Sequence, residues 1–337
     1  MKNTHTSFLI AITVCLIAAL AIWIRGNQAY QGITWSFKRD ARIIENLDKD
    51  CLIRHSSGCK NQPLNLSVNL GVYDPKGIFD NSQKFALQHE FISWATYDSK
   101  KALSFFNKTA TQNRWPILTI EPYPIEPLKK ENILVDVYNK KYDVQIDRIC
   151  TDIELYGKPV FLRWGHEMEN VTGRYPWAQK DYIGYIAAYK HVVDQCRKNT
   201  TLVYFVWSPV GNKNLKDYWP GREYVDYIGL SLFIYPEWEK IHYGRVRSFS
   251  EILSEKYTLV KGYDRPVMIA EFGYKGNPVE QKKIILEGFS HLGDFPLIKT
   301  VSFFNEYDTE GVWGNDLPNP DWKIQKSLLD EIVPTKN

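Results

Sequence analysis

The sequence predicts an α/β fold, a parallel (β/α)8 TIM barrel in residues 66–337 that follows an N-terminal hydrophobic segment. Eight apolar runs recur between residues 66 and 308, and helical patterns separate the later ones. The chain has 337 residues, which leaves room for a barrel of roughly 250 residues. A doubly wound open sheet is the main alternative, but no GxGxxG motif follows the first strand to support a nucleotide-binding version of it.

The composition is typical of a globular protein with a large core, because 44% of the residues are hydrophobic and 24% are charged. The formal net charge of +3 gives no reason to expect a nucleic-acid partner. Aromatic residues are abundant, with 11 Trp, 21 Tyr and 16 Phe. Such residues build cores, and in excess they also line clefts that stack on flat ligands such as sugars.

The N-terminus contains an uncharged apolar run, residues 8–24, between Lys2 and Arg25. At about 1.5 Å per residue this run reaches roughly 25 Å, which is borderline for crossing a membrane. We predict that residues 1–26 are an uncleaved signal anchor, with a cleaved signal peptide and a buried helix as alternatives. An anchor or a signal peptide would place the chain outside the cytoplasm, membrane-anchored or secreted. Residues 27–65 then form a polar extension before the barrel.

The cysteines allow two disulfides. Cys51 and Cys59 bracket a polar loop in the extension, and an exported chain permits a bridge between them. Cys150 and Cys196 lie in amphipathic helical stretches, where they are either reduced core residues or a second bridge.

The eight runs are near-continuously apolar and rich in β-branched and aromatic residues, as in strands that are buried on both faces. The predicted strands cover residues 66–75, 90–97, 115–124, 158–167, 201–209, 225–235, 265–274 and 298–308. Helical spacing of apolar residues, with capping residues at the ends, predicts the elements between them. The predicted helices cover residues 143–157, 181–198, 248–263 and 278–293, with weaker ones at 83–88 and 99–109.

Two glutamates stand where two of these strands end. Glu167 follows the fourth strand, in the stretch FLRWGHEMEN, and Glu271 ends the seventh, in MIAEFG. The carboxyl ends of barrel strands meet at one mouth, so residues far apart in the chain can face each other there. Two facing carboxyls, one protonated and one ionised, are what glycoside hydrolysis requires. A helix cap or an ion pair is the structural alternative for each glutamate.

Residues 66–310 resemble glycoside hydrolase family 26, one of the families of retaining (β/α)8 glycosidases. The motifs that carry the resemblance are GVYDP, RWGHEME, YPW, VWSP, YVDYIGLS and MIAEFG, in this order. The His-Glu pair in RWGHEME favours this family over relatives that have Asn-Glu. The resemblance implies a retaining endo-β-1,4-glycanase acting on a polysaccharide, with β-mannan the expected substrate, and it implies no metal or organic cofactor.

The resemblance also implies a role for each site residue. Glu167 matches the general acid/base and Glu271 the nucleophile, which a bidentate guanidinium would keep ionised. The positions that bind substrate or brace the carboxylates match Arg163, His166, Trp177, Trp207 and Tyr235. A structural histidine is the alternative for His166, and plain core is the alternative for both tryptophans. Phe233 is the alternative to Tyr235.

Two departures from the family pattern concern the substrate. Glu169 and a longer loop stand where the family has an Asn-Gly that contacts sugar, and strand six reads GLSLFIYPEW instead of Gly-Leu-Asp-x-Tyr. Other functions therefore stay open. One is a mixed-linkage β-glucan endoglucanase. Another is a membrane-tethered glycan-binding protein with little turnover that serves polysaccharide synthesis or export.

Overall fold

The computed structural model describes residues 68–125, 132–314 and 316–332. In this part of the chain eight parallel strands close into one barrel, in sequence order, with β8 paired to β1. The predicted (β/α)8 fold is therefore confirmed. The predicted anchor, the extension and the Cys51–Cys59 pair lie outside the described residues. Within the described part, every helix is too short or too polar to cross a bilayer.

The strands are β1 (Asn69–Tyr73), β2 (Leu87–Ser93), β3 (Trp115–Glu121), β4 (Val160–Trp164), β5 (Val203–Trp207), β6 (Tyr227–Ile234), β7 (Val267–Tyr274) and β8 (Ile298–Phe304). The helices are α1 (Ser99–Thr111), α2 (Ile133–Tyr138), α3 (Asp143–Tyr156), α4 (Tyr182–Asn199), α5 (Pro236–Tyr243), α6 (Phe249–Val260), α7 (Pro278–Ser290) and α8 (Lys326–Ile332). The helices pack their apolar faces onto the outer face of the strands in one continuous core.

The helix ends follow from capping residues that the sequence displays. Asp181 accepts a hydrogen bond from the Gly184 N–H at 2.8 Å where α4 begins, and Ser248 and Glu251 form a reciprocal capping box where α6 begins. Gly157 ends α3 with a φ of 71°, a conformation that costs glycine little. The helices predicted near 99–109, 143–157, 181–198, 248–263 and 278–293 are confirmed, and 3-10 turns follow the α-helical part of the last two.

The connection between β1 and β2 differs from the prediction. Residues 83–88 are not helical; the strand begins at Leu87 and ends at Ser93, earlier than the predicted run. The connection is folded instead around Asp74, whose carboxylate accepts the Phe79 N–H at 2.7 Å. Phe79 and Phe85 pack edge to face in the core, with ring centroids 5.3 Å apart. The segment is therefore a compact turn, with Phe85 packed in the core against a ring from the turn that follows β1.

A disulfide joins α3 to α4. Cys150 and Cys196 are bonded, with Cα atoms 5.3 Å apart, and both residues are buried. Of the two alternatives that the sequence left open for this pair, the structure shows the bridge. The bridge spans 46 residues of chain, a segment that includes β4 and the loop that carries Glu167.

Strand β7 contains one residue more than its neighbours at the level of Ala270. Pairing with β6 advances from Leu230↔Ile269 to Ser231↔Glu271, so the β7 strand moves two residues while β6 moves one. The pairing with β8 shows the same irregularity between Ile269 and Phe272. A bulge of this kind reverses the alternation of side chains along a strand.

Candidate active site

The bulge in β7 determines where Glu271 points. Ile269 and Phe272 are three positions apart, and a regular strand would place them on opposite faces. Both pack in the outer core, so the bulge puts them on the same face. Glu271 then faces the barrel interior. The sequence predicted Glu271 at the strand end; the structure places it within β7, three residues before the end at Tyr274.

Arg163, on β4, is the partner of Glu271. Its Nη2 lies 2.7 Å from Glu271 Oε1, and the arginine is completely buried. Its Nε donates to Ser208 Oγ at 2.7 Å, and Nη1 donates to Thr119 Oγ1 at 3.4 Å. The guanidinium is thus fixed by residues of β3 and β7 and by the residue that follows β5. The attraction between its charge and that of Glu271 is screened little by water, because both groups are buried. The sequence predicts a bracing role for Arg163, and the structure places its guanidinium against Glu271.

Glu167 stands three residues beyond the last residue of β4, where the chain turns. Its φ is 56°, a left-handed conformation that is uncommon for a residue with a Cβ and is often found at functional sites. Two bonds hold it there: its N–H donates to the Ser208 carbonyl at 2.7 Å, and its Oε1 accepts from Ser231 Oγ at 2.7 Å. Glu167 is therefore fixed by the residue that follows β5 and by a residue within β6.

The two glutamates share one electrostatic environment. Burial raises the pKa of Glu271 to about 7; the Arg163 guanidinium acts in the opposite direction, and the charge of Glu167 raises it further. The charge of Glu167 therefore opposes ionisation of Glu271, and the Arg163 guanidinium favours it. Two carboxyls with unequal surroundings are the condition for paired acid and nucleophile chemistry.

His166 lies beside Glu167 in a wall of aromatic rings. Its Nε2 is 3.1 Å from the Tyr175 hydroxyl, and its carbonyl accepts the Trp177 Nε1–H at 2.6 Å. Tyr175 and Trp177 stack with centroids 4.6 Å apart. Burial, followed by the nearby Arg163 charge, lowers the pKa of His166 well below its usual range, so the ring is neutral. Trp177 is completely buried and acts on the site through the His166 carbonyl.

Arg174 brings a second cation to the mouth. Its guanidinium lies 4.8 Å from the Tyr175 ring centroid, and its Nη2 is 4.0 Å from Asp308 Oδ1. Burial lowers the pKa of Arg174, but Tyr175 and the carboxylates of Glu167 and Asp308 outweigh that effect and raise it. The sequence analysis did not single out this residue.

Two other predicted site residues lie elsewhere. Trp207 is completely buried in the outer core, with its ring 5.0 Å from Trp219. It thus occupies the plain core position that the sequence left open and does not line the cleft. The Tyr235 hydroxyl donates to the Pro318 carbonyl at 2.7 Å, so it is engaged away from Glu271. Phe233, the predicted alternative to Tyr235, lies on the inner face of β6. Its ring centroid is 4.8 Å from that of Trp322.

Sequence reasoning missed the residues that connect these groups. Ser208 contacts both Glu167 and Arg163, and Ser231 contacts Glu167. The motifs VWSP and GLS contain them, but neither motif reveals what the serine touches. In the described part of the chain no three His, Cys, Asp or Glu side chains are grouped to hold a metal ion.

No family model matches the chain. Over 261 residues it is 28% identical to Endoglucanase H of Acetivibrio thermocellus, covering 73% of this chain and 26%, about a quarter, of that protein's length. The structure superposes on a GH26 β-mannanase from Bacteroides ovatus with a TM-score of 0.59 and 11% identity, covering 87% of this chain and 90% of that one.

It also superposes on the catalytic domain of a GH26 endo-β-1,4-mannanase from Bacillus sp. JAMB-750, with a TM-score of 0.55 and 14% identity, covering 73% and 78% of the two chains. At such identities the superpositions show a shared fold. With the sequence match to a glycoside hydrolase, they confirm what the motifs predicted: the chain resembles glycoside hydrolase family 26.

Proposed function

We propose that the chain is a retaining endo-β-1,4-glycanase that hydrolyses a β-linked polysaccharide by double displacement. Glu271 is the nucleophile and Glu167 the general acid/base. The observation that carries the proposal is the buried ion pair between Arg163 and Glu271, which lies in the same electrostatic environment as Glu167. The names of the relatives, an endoglucanase and two β-mannanases, support a β-glycanase.

The partners of the two carboxyls support this division of roles. An arginine stabilises the ionised form of the carboxylate that it touches, and Arg163 touches Glu271. Glu167 is bonded instead to a neutral hydroxyl, that of Ser231. Although burial raises the pKa of Glu271, the direct contact with the Arg163 cation favours the ionised form of Glu271. Glu271 is then the group ready to attack.

In the first step a Glu271 oxygen forms a bond to the anomeric carbon while the glycosidic C–O bond breaks. Glu167 gives its proton to the departing oxygen and becomes a carboxylate, which the Ser231 hydroxyl stabilises by its hydrogen bond. In the second step Glu167 takes a proton from water, and the resulting hydroxide displaces Glu271 from the anomeric carbon. Two inversions return the β configuration.

β-Mannan is the proposed substrate, with the GH26 structures named as mannanases in support. Mixed-linkage β-glucan is the second candidate, and the name of Endoglucanase H favours it. The loop that would contact the sugar differs from the family pattern at Glu169, so the substrate needs a direct test. Hydrolysis of mannan, galactomannan, mixed-linkage glucan, carboxymethyl cellulose and β-1,3-xylan, with sizing of the products, decides among them. No release from any polysaccharide would favour the glycan-binding alternative.

The roles are tested with Glu167→Ala, Glu271→Ala and a dinitrophenyl glycoside, whose leaving group departs without a proton. Glu167→Ala should form the glycosyl-enzyme and then stall, and added azide should restore turnover with a β-glycosyl azide as product. In Glu271→Ala, azide should enter the vacated space and give the α product. An α product from Glu167→Ala would show that the roles are reversed. Wild-type activity on polysaccharide in both variants would remove the catalytic proposal.

A further inference from the structure

Five consecutive residues after β5, 208–212, include one of the two groups that hold Glu167. The Ser208 carbonyl accepts the Glu167 N–H at 2.7 Å. Two charged side chains that the proposed reaction does not use, Glu169 and Lys256, contact the same segment. Each is buried or partly buried, and charges are seldom placed there without a specific partner.

Glu169, on the loop after β4, binds the 208–212 segment. It is buried, and its Oε1 accepts the N–H groups of Gly211 at 2.8 Å and Asn212 at 3.2 Å. The Asn214 side chain donates to the Glu169 carbonyl at 3.4 Å. The carboxylate thus links the loop that carries Glu167 to the loop after β5. The Oε1 oxygen of Glu169 is thus occupied by two backbone N–H groups.

Lys256, on helix α6, binds the same segment. Its Nζ donates to the Val210 carbonyl at 2.7 Å and to the Ser231 carbonyl at 2.6 Å. Burial lowers the pKa of Lys256 to about 8, although the carboxylates of Glu167 and Glu169 oppose this. Ser231 is the residue whose hydroxyl bonds Glu167. One ammonium therefore fixes both the loop and the serine that contact the acid/base.

Gly211 permits this close arrangement. Its φ is 105°, and a Cβ built on it would lie 2.8 Å from Lys256 Cγ. The loop backbone therefore packs directly on the aliphatic stem of the lysine, in a conformation that glycine adopts readily. The carboxylate of Glu169 bonds two N–H groups of the segment while the ammonium of Lys256 bonds a carbonyl of it.

We propose that Glu169 and Lys256 are positioning residues that hold Glu167 in its working orientation, through the 208–212 segment and Ser231. This inference rests on the proposed role of Glu167 as general acid/base. It assigns a function to the carboxylate that departs from the family pattern, and to a lysine that no motif marks.

The test compares a polysaccharide, whose leaving group must be protonated, with a dinitrophenyl glycoside, whose leaving group need not be. Glu169→Ala and Lys256→Met should each lose about 10–100-fold more kcat/KM on the polysaccharide than on the activated glycoside, a part of what general acid catalysis contributes. Glu169→Gln keeps the oxygen that accepts the two N–H groups and should restore most of the loss. Glu154→Gln and Lys261→Met, both at exposed positions, are the matched controls.

Equal losses on the two substrates, accompanied by a lower melting temperature, would mean that both residues serve stability alone and would overturn the inference. If Lys256→Met does not fold, the Glu169→Ala and Glu169→Gln pair still decides. Glu167→Ala in the same assays separates the two proposals. If Glu167→Ala loses kcat/KM equally on both substrates, the acid/base assignment itself fails. If its loss of kcat/KM is confined to the polysaccharide and that of the other variants is not, only this inference fails.

Discussion

Arg163 and Glu271 form an ion pair inside the barrel, with Nη2 2.7 Å from Oε1, although the two residues come from β4 and β7. Neither side chain has appreciable contact with solvent, so the pair is screened little by water or salt. Burial raises the pKa of Glu271 and the Arg163 guanidinium partly opposes this, so that the pKa is about 7. Removing the guanidinium leaves burial unopposed.

We expect Arg163→Met to move the acidic limb of the pH profile of kcat/KM to higher pH, by about 1–3 units. The sign follows because Glu271 must be ionised to attack, and its pKa rises when the neighbouring cation is lost. The dinitrophenyl glycoside is the substrate for this measurement, since its departure does not depend on Glu167. Arg148→Met, at an exposed position on α3, is the control. A slower enzyme with an unmoved limb would contradict this account of the pair.

Two tryptophans allow a matched comparison. Trp177 donates to the His166 carbonyl, whereas Trp207 packs away from the site against Trp219. Trp177→Phe leaves a buried carbonyl without its donor, at a cost of about 1–3 kcal/mol, and should lower kcat several-fold. Trp207→Phe should lower the free energy of unfolding and leave kcat nearly unchanged. The reverse result, a lower kcat for Trp207→Phe alone, would indicate that Trp207 lines the cleft.

Gly273 follows Glu271 by two residues and has no room for a side chain. A Cβ there would lie 2.8 Å from the Phe233 ring and 2.9 Å from Trp322. Gly273→Ala should cost about 1–3 kcal/mol of unfolding free energy through overpacking, and it should lower activity because β7 must shift beside Glu271. At Gly262 a Cβ would meet nothing within 4 Å, so Gly262→Ala should be close to neutral in both denaturant unfolding and rate.

The bridge between Cys150 and Cys196 should stabilise the fold without taking part in the reaction. For the 46 residues that it spans, the loss of chain entropy in the unfolded state corresponds to about 2–4 kcal/mol. The double variant Cys150→Ala/Cys196→Ala should unfold at lower urea concentration and keep its kcat. Reducing agent should destabilise the wild type more than the variant, in which only the predicted Cys51–Cys59 bridge could still be reduced. A wild type that is indifferent to reductant would show that the thiols are not bonded in solution.

The apolar runs predicted all eight strands because strands buried on both faces have no polar residues to interrupt them. Prediction failed where structure depends on partners from elsewhere in the chain. Residues 83–88 have helical character, yet Phe79 and Phe85 make this segment a turn by packing in the core. Local spacing contains no information about that contact.

The site shows the same limit. Glu167, Glu271 and Arg163 could be predicted as candidates because their types and motifs carry recognisable chemistry. Ser208 and Ser231 were missed because a serine acquires its role only from what the fold brings to it. The position of Trp207 could have been inferred from the two-residue alternation along β5, since Val203, Phe205 and Trp207 share the face that packs on the helices.

The extra residue in β7 makes the proposed chemistry sensitive to the register of a strand. If β7 kept Ala270 but paired regularly with its neighbours, the alternation from the outward Ile269 would place Ala270 in the barrel interior and turn the Glu271 carboxylate toward the helices. A relative can therefore keep the whole motif MIAEFG and still direct its glutamate away from the interior. The register of β7 against β6 and β8 distinguishes the two cases.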